Sequence, residues 1–256
     1  MMPLLILNLA GFIAISILLW HCWSEWRTLR AIVHRSVPKG ESTFATALDF
    51  AGLVHAHAPR SEDPRFIPIA ALDILGGSPI SILRRGGCCS GLCRLCITGL
   101  RTLGIKAAQV TLYHTDGQAQ HALVEVSLKE QAAIVDPLYG FYYVDSHGRP
   151  MTIETLRRGV KPEYRPLPLS SSVVYPANNY YNFDFSRTKT ANWSKTRVRR
   201  SAYRILRTLT VGRIDTLRQP LWLEWPQLVL AAGIILGVLT FNVAMSFLYR
   251  AFSFGA

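Results

Sequence analysis

Apolar and polar positions are distributed very unevenly along this chain. Pro3–Trp20 contains no charged residue and only Asn8 and Ser16 as polar interruptions. Leu228–Leu248 is uncharged throughout, about 30 Å of helix, which matches the thickness of a bilayer core. Both segments are predicted to span a membrane. The first reads as an uncleaved anchor, because Met1-Met2-Pro3 offers no basic leader and His21-Cys22-Trp23-Ser24-Glu25-Trp26 lacks a small-residue cleavage pattern while supplying interfacial tryptophans. Gly233 and Gly237 have a spacing compatible with helix–helix contact, and so with a membrane-protein partner.

Between the spans the pattern changes. Phe44–His55 reads as a helix capped by Ser42 or Thr43 and broken over Ala58–Pro64. Glycine pairs at 76–77 and 86–87 bracket a short apolar piece. From Cys88 to Leu103 the period is helical. Cys89, Leu92, Cys93, Cys96, Leu100 and Leu103 share one face, Arg94, Thr98 and Arg101 the other, and Gly104 is placed to stop the helix. Strands are predicted over Ala107–Tyr113, His121–Leu128 and Ala132–Val135, with a turn at Thr115-Asp116-Gly117. A short helix follows at Ile153–Arg158, then a Pro-rich exit, a Tyr/Asn-rich stretch at Tyr175–Phe185, and a basic segment with some apolar periodicity at Trp193–Leu209. A helix followed by sequential antiparallel strands predicts an α+β fold, a central helix packed on an antiparallel sheet, flanked by two transmembrane helices. The expected domains are 1–24 and 226–249 as spans, 40–185 as the folded unit and 186–224 as a basic juxtamembrane segment.

Charge gives the spans a direction. The 256 residues carry a formal net charge of +12. Arg27, Arg30, Arg35 and Lys39 follow the first span, and a run from Arg187 to Arg218 precedes the second. The positive-inside rule predicts an inner (cytoplasmic) membrane protein with its middle in the cytoplasm and both termini outside. Cys88, Cys89, Cys93 and Cys96, crowded into one short stretch, make a poor disulfide framework and suit reduced thiols. The basic run lies near a span and lacks a recognition motif, so it is expected to meet anionic headgroups, with Ala202, Ile205, Leu206 and Leu209 facing lipid, and not nucleic acid.

A cysteine nucleophile needs a lowered thiol pKa, a nearby base and a group that orients the base. Cys89 starts a predicted helix behind two glycines, where the helix dipole and unpaired N–H groups favour thiolate and can hold an oxyanion. His121 opens a predicted strand. Asp136 closes the next, and the hairpin between them brings the two nearly level at one end of the sheet. Cys89, His121 and Asp136 can therefore form a catalytic triad.

These residues resemble the transglutaminase-like superfamily of papain-like cysteine enzymes, in a membrane-anchored bacterial-type form. The resemblance rests on Gly87-Cys88-Cys89, Leu100-Arg101-Thr102-Leu103-Gly104-Ile105-Lys106-Ala107, His121-Ala122-Leu123-Val124-Glu125-Val126 and Val135-Asp136-Pro137. The helix end fixes the register, so that Cys89 and not Cys88 matches the nucleophile. Leu123 stands where the family usually has an aromatic, and Ser90-Gly91 where an acidic residue often follows the cysteine. The resemblance implies acyl chemistry on an amide or ester of a peptide, protein or other substrate: a peptidase or amidase first, then transfer to an amine or saccharide-linked acceptor. The rival from another class is a non-catalytic membrane scaffold. No cofactor or metal is expected. A thiolate metal site is disfavoured because the four cysteines diverge around a helix, and Cys93 and Cys96 read as core packing. His55 and His57 do not share a helix face and read as surface histidines; His114 is a weak substitute base.

Overall fold

In the computed structural model the described residues are 2–37, 43–59, 77–128, 131–169, 183–191, 193, 197–215, 217–218 and 221–253. The architecture is α+β. Helices α1 (Met2–Ser36), α2 (Phe44–His57), α3 (Pro79–Arg85) and α4 (Cys89–Thr102) precede strands β1 (Lys106–Tyr113), β2 (Ala119–Ser127), β3 (Ala132–Asp136), β4 (Phe141–Val144) and β5 (Glu163–Pro166). Helix α5 (Ile153–Arg157) lies between the last two strands, and α6 (Arg197–Leu209) and α7 (Pro226–Ser253) complete the chain. The sheet is a five-stranded antiparallel meander in the order β1-β2-β3-β4-β5.

Local chemistry explains the boundaries. The Thr43 hydroxyl accepts the Thr46 N–H at 3.2 Å and so starts α2. Gly104, at φ +77, ends α4: its N–H reaches Arg101 O and the Ile105 N–H reaches Leu100 O, satisfying two terminal carbonyls. Strand β2 starts at Ala119, so His121 sits inside the strand opposite Leu112 and does not open it. β4 and β5 lie where no strand is expected from the sequence pattern. Phe141-Tyr142-Tyr143-Val144 is an aromatic run of high β propensity, and β5 sits in the Pro-rich exit as an edge strand, where proline is tolerated.

The sheet is covered on both faces. Ala107, Ala122, Val124, Val126 and Val135 pack against α4 and, through it, α2 and α3. Val110, Leu112, Leu123, Ile134, Phe141 and Tyr143 pack on the opposite side with Met151, Ile153 and Leu156. Gly99 lets the Phe50 ring of α2 lie directly on α4, occupying the space a Cβ would need.

Helix α1 runs well past the apolar stretch. Its Leu29 and Val33, with Val37 just past its end, spaced at i, i+4 and i+8, are buried in the domain core. The first half of α1 packs antiparallel on α7. Asn8 and Asn242 exchange amide hydrogen bonds (2.9 Å from Asn242), Gly11 lies against Val238, and Gln227 reaches His21 at 3.1 Å. Both helices are long and apolar enough to cross a membrane and are little buried within the chain.

The basic segment divides. Lys189 pairs with Asp215, Arg218 with Glu125 and Arg187 with Asp184, so these three serve the fold. On α6, Tyr203 faces the domain through Lys189 and Asp215, while Ile205 and Leu209 are 63% and 73% exposed.

Candidate active site

The β2–β3 ladder stops at Val124–Val135. Just beyond that end the strands deliver two side chains to the same place. His121 Nε2 donates to Asp136 Oδ2 at 2.7 Å, with the histidine 6% exposed and the aspartate fully buried. A carboxylate only accepts, so Nε2 carries the hydrogen and Nδ1 is the basic nitrogen of the neutral ring. Asp136 Oδ1 accepts the N–H groups of Leu138 (2.9 Å) and Tyr139 (3.1 Å), which fixes the carboxylate against the turn that follows it. The Tyr139 ring, 5.4 Å away, and the Phe183 ring, 6.4 Å away, flank the imidazole. Phe183 belongs to the aromatic stretch 175–185; residues 175–182 of it lie outside the described residues.

Cys89 is the first residue of α4, and the Ala122 N–H, next to His121 in β2, lies near enough to its sulfur to favour the thiolate slightly. The start of α4 is held by close packing. A Cβ on Gly87 would stand 3.1 Å from Ile82 and 3.3 Å from Gly91, so glycine there lets α3 and α4 meet just before the cysteines.

The two adjacent thiols interact. Cys88 caps α4 without a regular side-chain cap bond and is exposed, with its sulfur 3.3 Å from Ser90 Oγ. The hydrogen bond from Cys89, assisted by Ser90 and the first amides of the helix, pulls the Cys88 thiol down to about 4 against the opposing effect of burial. The same bond raises the Cys89 thiol, and burial raises it further. The sequence places the thiolate-favouring helix terminus at Cys89; in the resting structure its amides serve Cys88. Cys93 and Cys96 are fully buried, and desolvation raises both, Cys96 to about 12. Among the described residues no three or more Cys, His, Asp or Glu side chains gather as a metal set.

One expected surface residue is in fact central. His55 is 1% exposed, and its Nδ1 donates toward the carbonyls of Leu138 (3.1 Å) and Pro137 (3.3 Å). It therefore braces the Asp136–Gly140 turn from α2, while His57 stays exposed. Gly140, at φ +78, leaves room for that ring: a Cβ there would lie 2.6 Å from His55 Nε2. His114 lies in the β1–β2 turn beside Asp116, at 3.6 Å.

No family model matches this sequence, and no curated protein does. A solved structure from Cytophaga hutchinsonii, assigned provisionally as a cysteine protease, is similar at 18% identity with a TM-score of 0.36. The match covers 58% of this chain and 45% of that one, so this chain spans less than half of that neighbour's length. A likeness this low leaves fold and chemistry to be read from the chain itself.

Proposed function

We propose that this is a membrane-anchored thiol hydrolase acting on an amide or ester carbonyl, with Cys89 as nucleophile, His121 as proton carrier and Asp136 as the group that orients His121. The observation that carries the reading is the buried His121–Asp136 bond, one residue from Ala122, whose N–H lies near the Cys89 sulfur. With Nε2 committed to Asp136, proton exchange falls to Nδ1. Nδ1 takes the Cys89 proton as sulfur bonds to the carbonyl carbon. N–H groups at the start of α4 receive the oxyanion. Collapse breaks the C–N or C–O bond, and the leaving atom takes the proton from His121. Water, deprotonated by His121, then hydrolyses the thioester and the thiol is restored. Hydrolysis comes first because water needs no acceptor site; an amine or saccharide-linked acceptor is the alternative. The resemblance to the transglutaminase-like superfamily agrees with this assignment of roles.

The two terminal helices serve as spans, with the domain between them on the cytoplasmic face and the exposed Ile205 and Leu209 of α6, beside Arg204 and Arg207, directed to anionic headgroups. A reporter fused at Arg60 that is active only outside the cytoplasm would reverse this orientation.

A second reading, attack by Cys88, is favoured by its exposure and its lowered thiol. Turnover of amide and ester panels by Cys88→Ser and Cys89→Ser chains separates the two. We expect Cys88→Ser to keep turnover and Cys89→Ser to lose it. The opposite result assigns the nucleophile to Cys88. Full complementation of a gene deletion by both Cys89→Ala and His121→Ala chains would support the non-catalytic scaffold instead.

A further inference from the structure

On the proposed membrane placement the antiparallel α1–α7 pair gives the bilayer normal, and the polar contacts of Glu25, His34 and Arg94 orient α4 against it. Far from the bilayer, His34 Nε2 donates to the Thr102 carbonyl at 3.2 Å, at the end of α4. Nearer the bilayer, Glu25 accepts from Ser78 at 2.7 Å and from Gln227 at 2.6 Å, where α7 joins the domain. At that level Arg94 donates to Gly77 O at 2.7 Å and pairs with Glu224 at 3.2 Å. From Glu25 to His34 is about 14 Å of helix, and from Arg94 to Thr102 about 12 Å. The two helices thus stay level and run in the same direction. The N-terminus of α4 is aimed at the bilayer, with Cys89 about 7 Å further along the helix than Arg94.

The groups around that end suit a phosphate-bearing surface. Arg84 and Arg85 are exposed at the end of α3, beside the exposed Cys88 and Ser90. On α1, Arg27 stacks over Trp23 at 4.8 Å and Arg30 over Trp26 at 5.3 Å, an amphipathic belt of the kind found at headgroup depth.

We infer that the Cys89 site opens on the bilayer surface and takes an amide or ester carried on an anionic phospholipid, whose phosphate lies beside Arg84 and Arg85. This rests on Cys89 being the nucleophile. The bond made is sulfur to acyl carbon, the bond broken joins acyl group to lipid, and water completes the cycle, so no oxidant or reductant is needed.

The test uses the full chain in phosphatidylcholine vesicles and has two arms. The first is independent of catalysis. A bimane is placed on Cys88 in a Cys89→Ser chain, or on a Ser36→Cys chain whose Cys88 and Cys89 are both serine. Headgroup-spin-labelled lipid should remove more emission at position 88 than at position 36; equal or reversed loss overturns the orientation. The second arm compares an N-acyl phosphoethanolamine lipid with its short-chain soluble counterpart and with a lipid-anchored peptide amide lacking phosphate. Confinement to the surface should raise kcat/KM for the phospholipid about a hundredfold over the soluble amide. An Arg84→Gln/Arg85→Gln chain should lose that preference for phosphate. Equal rates on the soluble amide, or on the peptide amide, overturn the lipid assignment. So does turnover of neither lipid. In that last case, thiol labelling of Cys89 that persists in a Cys88→Ser chain leaves the nucleophile reading standing.

Discussion

Gly140→Ala and His55→Ala should be strongly coupled, because the structure places one against the other. In the native chain an alanine at 140 must adopt φ +78, a penalty of about 1–2 kcal/mol for an L residue. Its Cβ must also enter the space held by His55, whose Nε2 would be 2.6 Å away and whose ring is buried and tied to Leu138 and Pro137. Forcing atoms into such a packed place costs a further 1–3 kcal/mol or so, giving about 3 kcal/mol in total. His55→Ala alone leaves buried carbonyls without their donor and opens a cavity, again about 3 kcal/mol. In the His55→Ala background the collision is gone and Gly140→Ala should cost only the φ penalty. The coupling energy is therefore about 2 kcal/mol, well outside the additivity expected of independent sites. Urea unfolding of the four detergent-solubilised chains, followed by tryptophan emission, measures it. Additive losses, agreeing within about 0.5 kcal/mol, would refute the contact on which the bracing role of His55 depends.

Three further outcomes follow from the same geometry. Alkylation of Cys88, which tracks its thiolate fraction, should stay near plateau down to about pH 6 in the native chain, since its folded pKa is lowered to about 4. In Cys89→Ala the largest lowering contact is gone, so the profile should move to higher pH and the rate at about pH 6 should fall; an unchanged profile would show that the thiols do not share a hydrogen bond. Asp136→Asn keeps an oxygen for the Leu138 and Tyr139 N–H groups but turns an amide toward His121, forcing the proton onto Nδ1. Stability should change little while turnover drops about a thousandfold or more; full activity by steady-state assay would remove Asp136 from the mechanism. Asn8→Leu deletes the reciprocal amide bonds to Asn242 and should weaken α1–α7 pairing by about 0.6 kcal/mol, up to roughly 2, by energy transfer between labelled helices in bilayers; stronger pairing would assign the amides no adhesive role.

The parts of the molecule legible in the sequence are those whose signal is local. The face of α4 is written in the spacing of Leu92, Cys93, Cys96 and Leu100, and its end in Gly104, because a helix repeats every 3.6 residues and stops where a positive φ is needed. The meeting of His121 and Asp136 follows from one hairpin, whose register is set by two adjacent strands. What the local pattern does not carry depends on distant partners. His55 looks like a surface residue because His57, two positions on, shares no face with it; yet its hydrogen-bond partners lie in the turn after Asp136, in a different layer of the fold. The division of the basic run has the same origin. Arg218 and Arg204 look alike in sequence, but Arg218 meets a buried carboxylate of β2, Glu125, whose other oxygen accepts the Ile153 N–H at the start of α5. The length of α1 was legible in principle: Leu29, Val33 and Val37 continue an apolar stripe among charged residues, as expected where a helix enters a protein core. That continuity joins the apolar stretch and the core-packing stretch in one helix, which on the proposed membrane placement ties the level of the cysteines to the level of the bilayer.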